Sequence, residues 1–127
     1  MSCSVKGFQK RCGTWGESQA AVLLEGKGFR VIHRNWRHAH EEIDLIACDG
    51  EIVVFVEVRV RRNRALVPGF ESLTKRKRGA LKRAALAFLE QYPEVQFYRW
   101  DVVEYRIADA QCRHYDAMHY ENALTME

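Results

Sequence analysis

No apolar run in this chain approaches the ~20 residues that a membrane-spanning helix needs, so a helical membrane protein is not expected. Residues 1–12 lack the apolar core of a secretory signal and read as a flexible basic arm. The four cysteines, Cys3, Cys12, Cys48 and Cys112, are scattered and form no CxxC pair. That argues against a disulfide framework and a zinc site, and it suits a reducing cytoplasm. Internal repeats and low-complexity segments are also missing. What remains is 127 residues of ordinary composition, 47% hydrophobic and 29% charged. This predicts one globular domain over 13–120, followed by a tail at 121–127.

Acid is scarce in one place. Between Arg59 and Arg83 stand ten Lys or Arg residues and a single carboxylate, Glu71. Half of the 20 basic residues therefore lie in one fifth of the chain, although the net charge is only +3. Such a patch is the footprint expected for a phosphate backbone, and nucleic acid, DNA first, is the expected partner. Arg61, Arg62, Arg64, Lys75, Lys77, Arg78 and Lys82 are the candidate contacts. A solvated helix face followed by a loop is the plainer alternative.

The acids that matter lie where charge is least expected. The segment Glu42-Ile43-Asp44-Leu45-Ile46-Ala47-Cys48-Asp49-Gly50-Glu51-Ile52-Val53-Val54-Phe55-Val56-Glu57-Val58-Arg59 sets two carboxylates and a cation among strand-forming apolar residues. Buried charge is costly unless it is paired or bound to a metal. Asp49-Gly50 predicts a two-residue hairpin turn, which sets Cys48 opposite Glu51 and Glu42 opposite Glu57. In that register Asp44, Glu57 and Arg59 share one face. Asp44 is then the diagonal neighbour of Glu57, at roughly 7–8 Å. Two carboxylates so placed can share Mg²⁺ or Mn²⁺, a hard cation that takes oxygen ligands and keeps several waters. A buried ion-pair network with Arg59 and Lys77 is the structural alternative. Glu42 either meets Glu57 across a cation or lies at the solvent edge, and the edge is favoured. His38 and His40 lie near Asp44, and His114 and His119 near the end, but no recognised zinc spacing joins them.

The elements follow from periodicity. Thr14-Trp15-Gly16-Glu17 matches a capping box opening a helix that runs to Gly26 or Gly28, with Ala20, Ala21 and Leu24 on one stripe. Glu17 is thus either a cap or an inward-facing acid. A strand is expected over Phe29–Trp36, a polar loop over Arg37–Glu41, and hairpin strands over Glu42–Cys48 and Glu51–Val60. The last is apolar enough to be covered on both faces. A basic loop ends in Pro68-Gly69. A second helix follows over Ser72–Gln91, with Leu81, Ala85, Phe88 and Tyr92 inward, Lys77 turned towards the sheet, and Lys75, Arg78 and Lys82 beside it. Pro93 stops it before a strand over Gln96–Tyr105, and a short strand is expected near Cys112–Tyr115. The order helix, three strands, helix, strand predicts an α/β fold with a mixed central sheet flanked by helices.

Gly16-Glu17, His33-Arg34-Asn35-Trp36, Glu42-Ile43-Asp44-Leu45-Ile46, Val54-Phe55-Val56-Glu57-Val58-Arg59, Ser72-Leu73-Thr74 with Lys77, and Arg99-Trp100-Asp101-Val102-Val103 together resemble the bacterial YraN or UPF0102 family. The likeness covers about residues 13–105. That family is classed with the PD-(D/E)XK nucleases, whose restriction-endonuclease-like core has the order αβββαβ. The resemblance implies a Mg²⁺-dependent phosphodiesterase site with Asp44 and Glu57 as metal ligands, Glu17 as an accessory acid and Lys77 close by. At position 59 it implies a lysine that polarises the attacking water or the phosphate. Here that position is Arg59, which can clamp a phosphate but stays protonated. Glu41 is a second departure, since relatives usually carry glycine there. Two alternatives stand beside a nuclease: a non-catalytic nucleic-acid-binding protein on the same fold, and a module whose basic helix docks an acidic protein.

Overall fold

A computed structural model describes residues 5–62, 73–109 and 111–125, with side chains from Gly13 onward. Helix α1 spans Val5–Gly26 and helix α2 Lys75–Gln91. Five strands, β1 (Arg30–His38), β2 (Glu41–Asp49), β3 (Ile52–Arg62), β4 (Phe97–Ile107) and β5 (Tyr115–Leu124), form one sheet in the order β1-β2-β3-β4-β5. Among the described strands only β3 and β4 run parallel. α2 supplies the crossover that a parallel pair requires. The chain is α/β, and its order is compatible with a restriction-endonuclease-like core with β5 added. Among the described residues no helix is long and apolar enough to cross a membrane.

The apolar run of β3 is covered on both faces. Phe55 packs with Leu81, Ala84, Ala85 and Phe88 of α2, and Val54 and Val56 pack with Ala20 and Leu24 of α1. α1 is capped as expected by Gly28, whose φ of +92° suits a residue without Cβ. The amide of Phe29 returns to the Leu24 carbonyl at 3.0 Å, and that of Gly28 to Glu25 at 3.0 Å, which closes a Schellman cap. The helix begins earlier than the capping box suggests. It is formed from Val5, so Thr14 lies within it and the arm expected over 1–12 is helical from that point. At the other end, β5 runs through Leu124 and takes in residues expected to be tail. Arg64, Pro68-Gly69, Glu71 and Ser72 lie outside the described residues.

At Gly16, α1 packs tightly against β3. A Cβ there would stand 2.5 Å from Val60 Cγ2 and 3.3 Å from Val58 Cγ1. Gly16→Ala gains up to ~1 kcal/mol of helix propensity, but overpacking against a stiff valine costs about 1–3 kcal/mol. The variant is therefore expected to unfold at lower urea concentration than wild type. A variant as stable as the parent would mean that the helix can lift away freely.

Asp101 is structural. It is fully buried in β4 and accepts from Arg99 Nε at 2.9 Å, His119 Nε2 at 2.8 Å and the Asn122 amide at 2.9 Å. Burial alone would raise its pKa, but the bonds from His119, Arg99 and Asn122 together hold it below the usual range. Lys27 Nζ faces His119 Nδ1 at 2.9 Å. An ammonium can only donate, so Nδ1 accepts and Nε2–H donates to Asp101. This network ties β5 and the end of α1 to β4.

Candidate active site at a fork in the sheet

The β2–β3 ladder is paired from Asp49↔Ile52 to Leu45↔Val56. Beyond that point β2 continues against β1 as far as Glu41, while β3 continues against β4 as far as Arg62. The sheet therefore forks. In the crotch Asp44 Oδ2 accepts the Val58 amide at 2.8 Å, so a side chain replaces the missing ladder bond. Glu57, 6% exposed, stands on β3 at the same level.

The observed loop is Gly50-Glu51, with Gly50 at φ +59°, so the register differs by two residues from that predicted from Asp49-Gly50. Glycine at the first loop position relieves the strain that aspartate would carry there. An even shift leaves every side chain on its face. Extending the ladder by one step sets Asp44 directly across from Glu57 instead of diagonal to it. Glu42 consequently does not oppose Glu57. It is exposed and pairs with Arg37 at 3.5 Å.

Strict alternation fails at this level. Leu45 belongs to the α1-side core, yet Ile43 and its partner Trp36 belong to the α2-side core. Asp44 sits at the switch, and neighbouring Asn35 on β1 carries φ +52° and hydrogen-bonds Glu17 of α1. Asp44 thereby feels Glu17 from one helix and Lys77 from the other. Lys77 is in the first turn of α2. Its amide donates to the N-cap Thr74 Oγ1 at 3.1 Å, and its Nζ lies 3.6 Å from Glu57 Oε1.

Three carboxyls at or near the fork have raised pKa values. Burial, then the charge of Glu57, pushes Asp44 up to about 8, although the Val58 amide pulls the other way. Burial also raises Glu57, against the pull of Lys77 and Arg59. Glu17 is raised by burial in spite of its bond from Asn35. Raised carboxyls close to one another occur both at functional sites and in buried ion-pair networks.

Arg59 lies close enough to favour ionised Glu57, and among the described residues it forms no ion pair within 4 Å. Arg61 is turned to Glu104 Oε1 at 3.4 Å, and Arg62 ends β3 exposed. On α2, Lys75 and Arg78 are exposed and Lys82 is half-buried. A cavity of about 330 Å³, lined by His40, Thr74, Arg76, Lys77 and Arg83 among others, opens beside Lys77. Glu41, the other departure from the family pattern, pairs with Arg83 at 3.1 Å. The histidines disperse: His38 stacks on Trp36 and bonds Gln91, His114 meets Asp109, and His119 meets Asp101.

Asn35 and Glu104 are not among the candidate residues expected from the sequence. Asn35 orients Glu17, and nothing but its presence before Trp36 hints at a left-handed backbone. Glu104 is fully buried between Arg61 and Arg106, the latter at 3.7 Å. It is a charge in the apolar run Trp100–Tyr105, so the reasoning that singled out Glu57 applies to it equally.

Residues 16–105 match the model of the Uncharacterised protein family UPF0102. The chain belongs to the UPF0102 family. A UPF0102 protein of Syntrophomonas wolfei is 35% identical over 110 residues, covering 84% of this chain and 93% of its own length. One from Roseiflexus castenholzii is 43% identical over 99 residues, covering 76% and 80% respectively. One from Herpetosiphon aurantiacus is 37% identical over 120 residues, covering 89% and 97%. The matched span opens on Gly16-Glu17 and closes on Tyr105, so it takes in the fork, α2 and the second half of α1.

Proposed function

We propose that this UPF0102 protein is a divalent-metal-dependent endonuclease of the PD-(D/E)XK type that hydrolyses phosphodiester bonds in DNA. The observation that carries the reading is the pair Asp44 and Glu57, opposed in a sheet fork and held at raised pKa beside Arg59 and Lys77. Among the described residues no group of three or more His, Cys, Asp or Glu stands ready to cage a metal. The two carboxylates fit instead a Mg²⁺ or Mn²⁺ ion that keeps several waters and is completed by substrate phosphate. Such an ion, when bound, supplies Lewis-acid polarisation and an activated water.

The chain's own residues do the rest. Asp44, fixed by the Val58 amide, and Glu57 offer oxygen ligands at one depth. Glu17, turned by Asn35, adds negative charge from the α1 side. Arg59 clamps the scissile phosphate and stabilises the charge that builds on it in the transition state. Lys77 neutralises Glu57 while the site is empty of substrate. The exposed cations of α2 and the end of β3 follow the phosphate backbone on either side.

The test is a cleavage assay on labelled single-stranded and duplex DNA in Mg²⁺, Mn²⁺ or EDTA, with Glu57→Ala as the control for contaminating nuclease. Metal-dependent cutting that vanishes in Glu57→Ala is expected. Arg59 favours one alternative, a nucleic-acid-binding protein without chemistry, because arginine cannot accept a proton. Retained, salt-dependent binding with no cutting in any metal would select it.

A further inference from the structure

Glu104 is fully buried in β4, yet the chemistry assigned to the fork makes no use of it. Burying a carboxylate costs about as much as an ion pair returns, so a buried pair is weak evidence of a stabilising role. The pairs here are also long. Arg61 Nη1 lies 3.4 Å from Oε1 and Arg106 Nη2 3.7 Å from Oε2, against ~2.8 Å for a strong charge-assisted bond. Among the described residues Oε2 accepts no hydrogen bond. This acid is better placed to orient two guanidinia than to strengthen the core.

The strand registers put these groups on one face. Val58 and Val60 of β3 and Tyr105 of β4 pack on the α1 side. Glu57, Arg59 and Arg61 of β3, with Glu104 and Arg106 of β4, therefore point to the α2 side. In the parallel ladder Arg59 is level with Glu104, and Arg61 with Arg106. Like charges set directly across a ladder repel unless an anion lies between them. Glu104, two residues before Arg106, supplies one such anion to both arginines. The trio still keeps a net positive charge. Asp116, opposite Arg106 on β5, is exposed. Arg106 also borders an open cavity of about 400 Å³ at the end of β4, so solvent reaches it.

We infer that Glu104 is a positioning residue, which holds Arg61 and Arg106 as a two-guanidinium seat for a phosphate of the bound strand, next to the phosphate that Arg59 clamps. The inference rests on the nucleic-acid reading above and adds to it a second phosphate site, on β3 and β4 beyond the fork. Arg59 and Arg61 are two residues apart, ~7 Å along β3, which matches the interval between successive phosphates of one strand. A guanidinium carries its five N–H donors in a fixed fork, so one edge can face Glu104 while another meets a phosphate oxygen. The side chains of Arg61 and Arg106 are 23% and 17% exposed. They are held before the strand arrives, so binding spends little entropy on ordering them.

The experiment titrates full-length protein into a fluorescein-labelled single-stranded oligonucleotide in EDTA, across a salt series, with a melting curve to check the fold of each variant. Arg106→Gln is expected to bind roughly tenfold more weakly and to lower the slope of log affinity against log salt by about 0.7, the share of one phosphate contact. Arg106→Lys keeps the charge but not the fork, so it should bind more weakly with the slope retained. Glu104→Gln tests the acid itself. It removes a negative charge, so charge alone predicts tighter binding, whereas lost positioning predicts weaker binding. A folded Glu104→Gln that binds as tightly as wild type, or more tightly, would overturn the inference. If Glu104→Gln does not fold, Arg106→Lys carries the test, because it leaves Glu104 between two cations: weaker binding at unchanged slope supports the seat, and equal affinity overturns it. If wild type binds but both Arg106 variants match it in affinity and slope, the phosphate seat is wrong and the nuclease reading stands. If wild type binds no strand, single or duplex, both fall.

Discussion

Asp44→Asn is expected to melt several degrees above wild type at pH 8 in EDTA, and to lose both metal-dependent cleavage and any stabilisation by Mg²⁺ or Mn²⁺. Asp44 is raised from 3.8 to about 8 in the folded protein, with burial and Glu57 as the main causes. Its folded pKa thus lies above its unfolded pKa, and the folded state binds the proton more tightly. Stability contributed by that proton is present below the unfolded value and is lost as pH rises from about 4 to about 8. The raised Glu57 and Glu17 act in the same direction. Asparagine removes the desolvated charge but keeps an oxygen for the Val58 amide, a bond weakened rather than lost. One pKa unit corresponds to about 1.4 kcal/mol, and partial exposure and coupling to Glu57 reduce the gain to roughly 2 kcal/mol. Melting curves from pH 5 to 8.5, with EDTA or with metal, read this directly. Wild type should gain most from metal at the alkaline end. An Asp44→Asn variant less stable than wild type at pH 8 would show that the crotch is not strained by its acids.

Much of this was legible in the residues, and what was not has definite physical causes. The unbroken apolar run of β3 announced cover on both faces, and α1 and α2 supply it. The charges within that run lie at the fork, and Lys77, expected to turn towards the sheet, reaches Glu57 at 3.6 Å. The hairpin register was misplaced by two because Asp49-Gly50 and Gly50-Glu51 are both sound turns. Only the fold decides between them, through pairs such as Asp49 with Arg99 at 3.4 Å. The break in alternation at Asp44 was illegible, because a period-two rule cannot express an asparagine at positive φ on the neighbouring strand. The capping box at Thr14 misled for a related reason. It is a local signal, and α1 runs through it unbroken from Val5. β5 is longer than its sequence suggests because an edge strand with a mostly exposed burial pattern carries no apolar alternation. His119 and Asn122, which bind it to Asp101, are polar.

Arg59 decides between the two functional readings. If the protein cuts DNA, Arg59→Ala should lower the rate about 10²–10³-fold, the usual loss when one transition-state donor is removed, while the metal-induced rise in melting temperature persists. That rise depends on Asp44 and Glu57, not on Arg59, so the two readouts separate loss of chemistry from loss of the ion. Arg59→Lys keeps the positive charge but gives up bidentate contact, so it should retain part of the rate. Lysine can also surrender a proton, which arginine cannot. An alkaline gain in the pH–rate profile of Arg59→Lys, absent from wild type, would therefore report a base that the native chain does without. If instead wild type is inert in every metal and Arg59→Lys cuts, the native site binds the phosphate without breaking it, and one guanidinium is what holds the chemistry off. Equal cleavage by wild type and Arg59→Ala would remove Arg59 from the mechanism and leave the fork's carboxylates to account for the reaction alone.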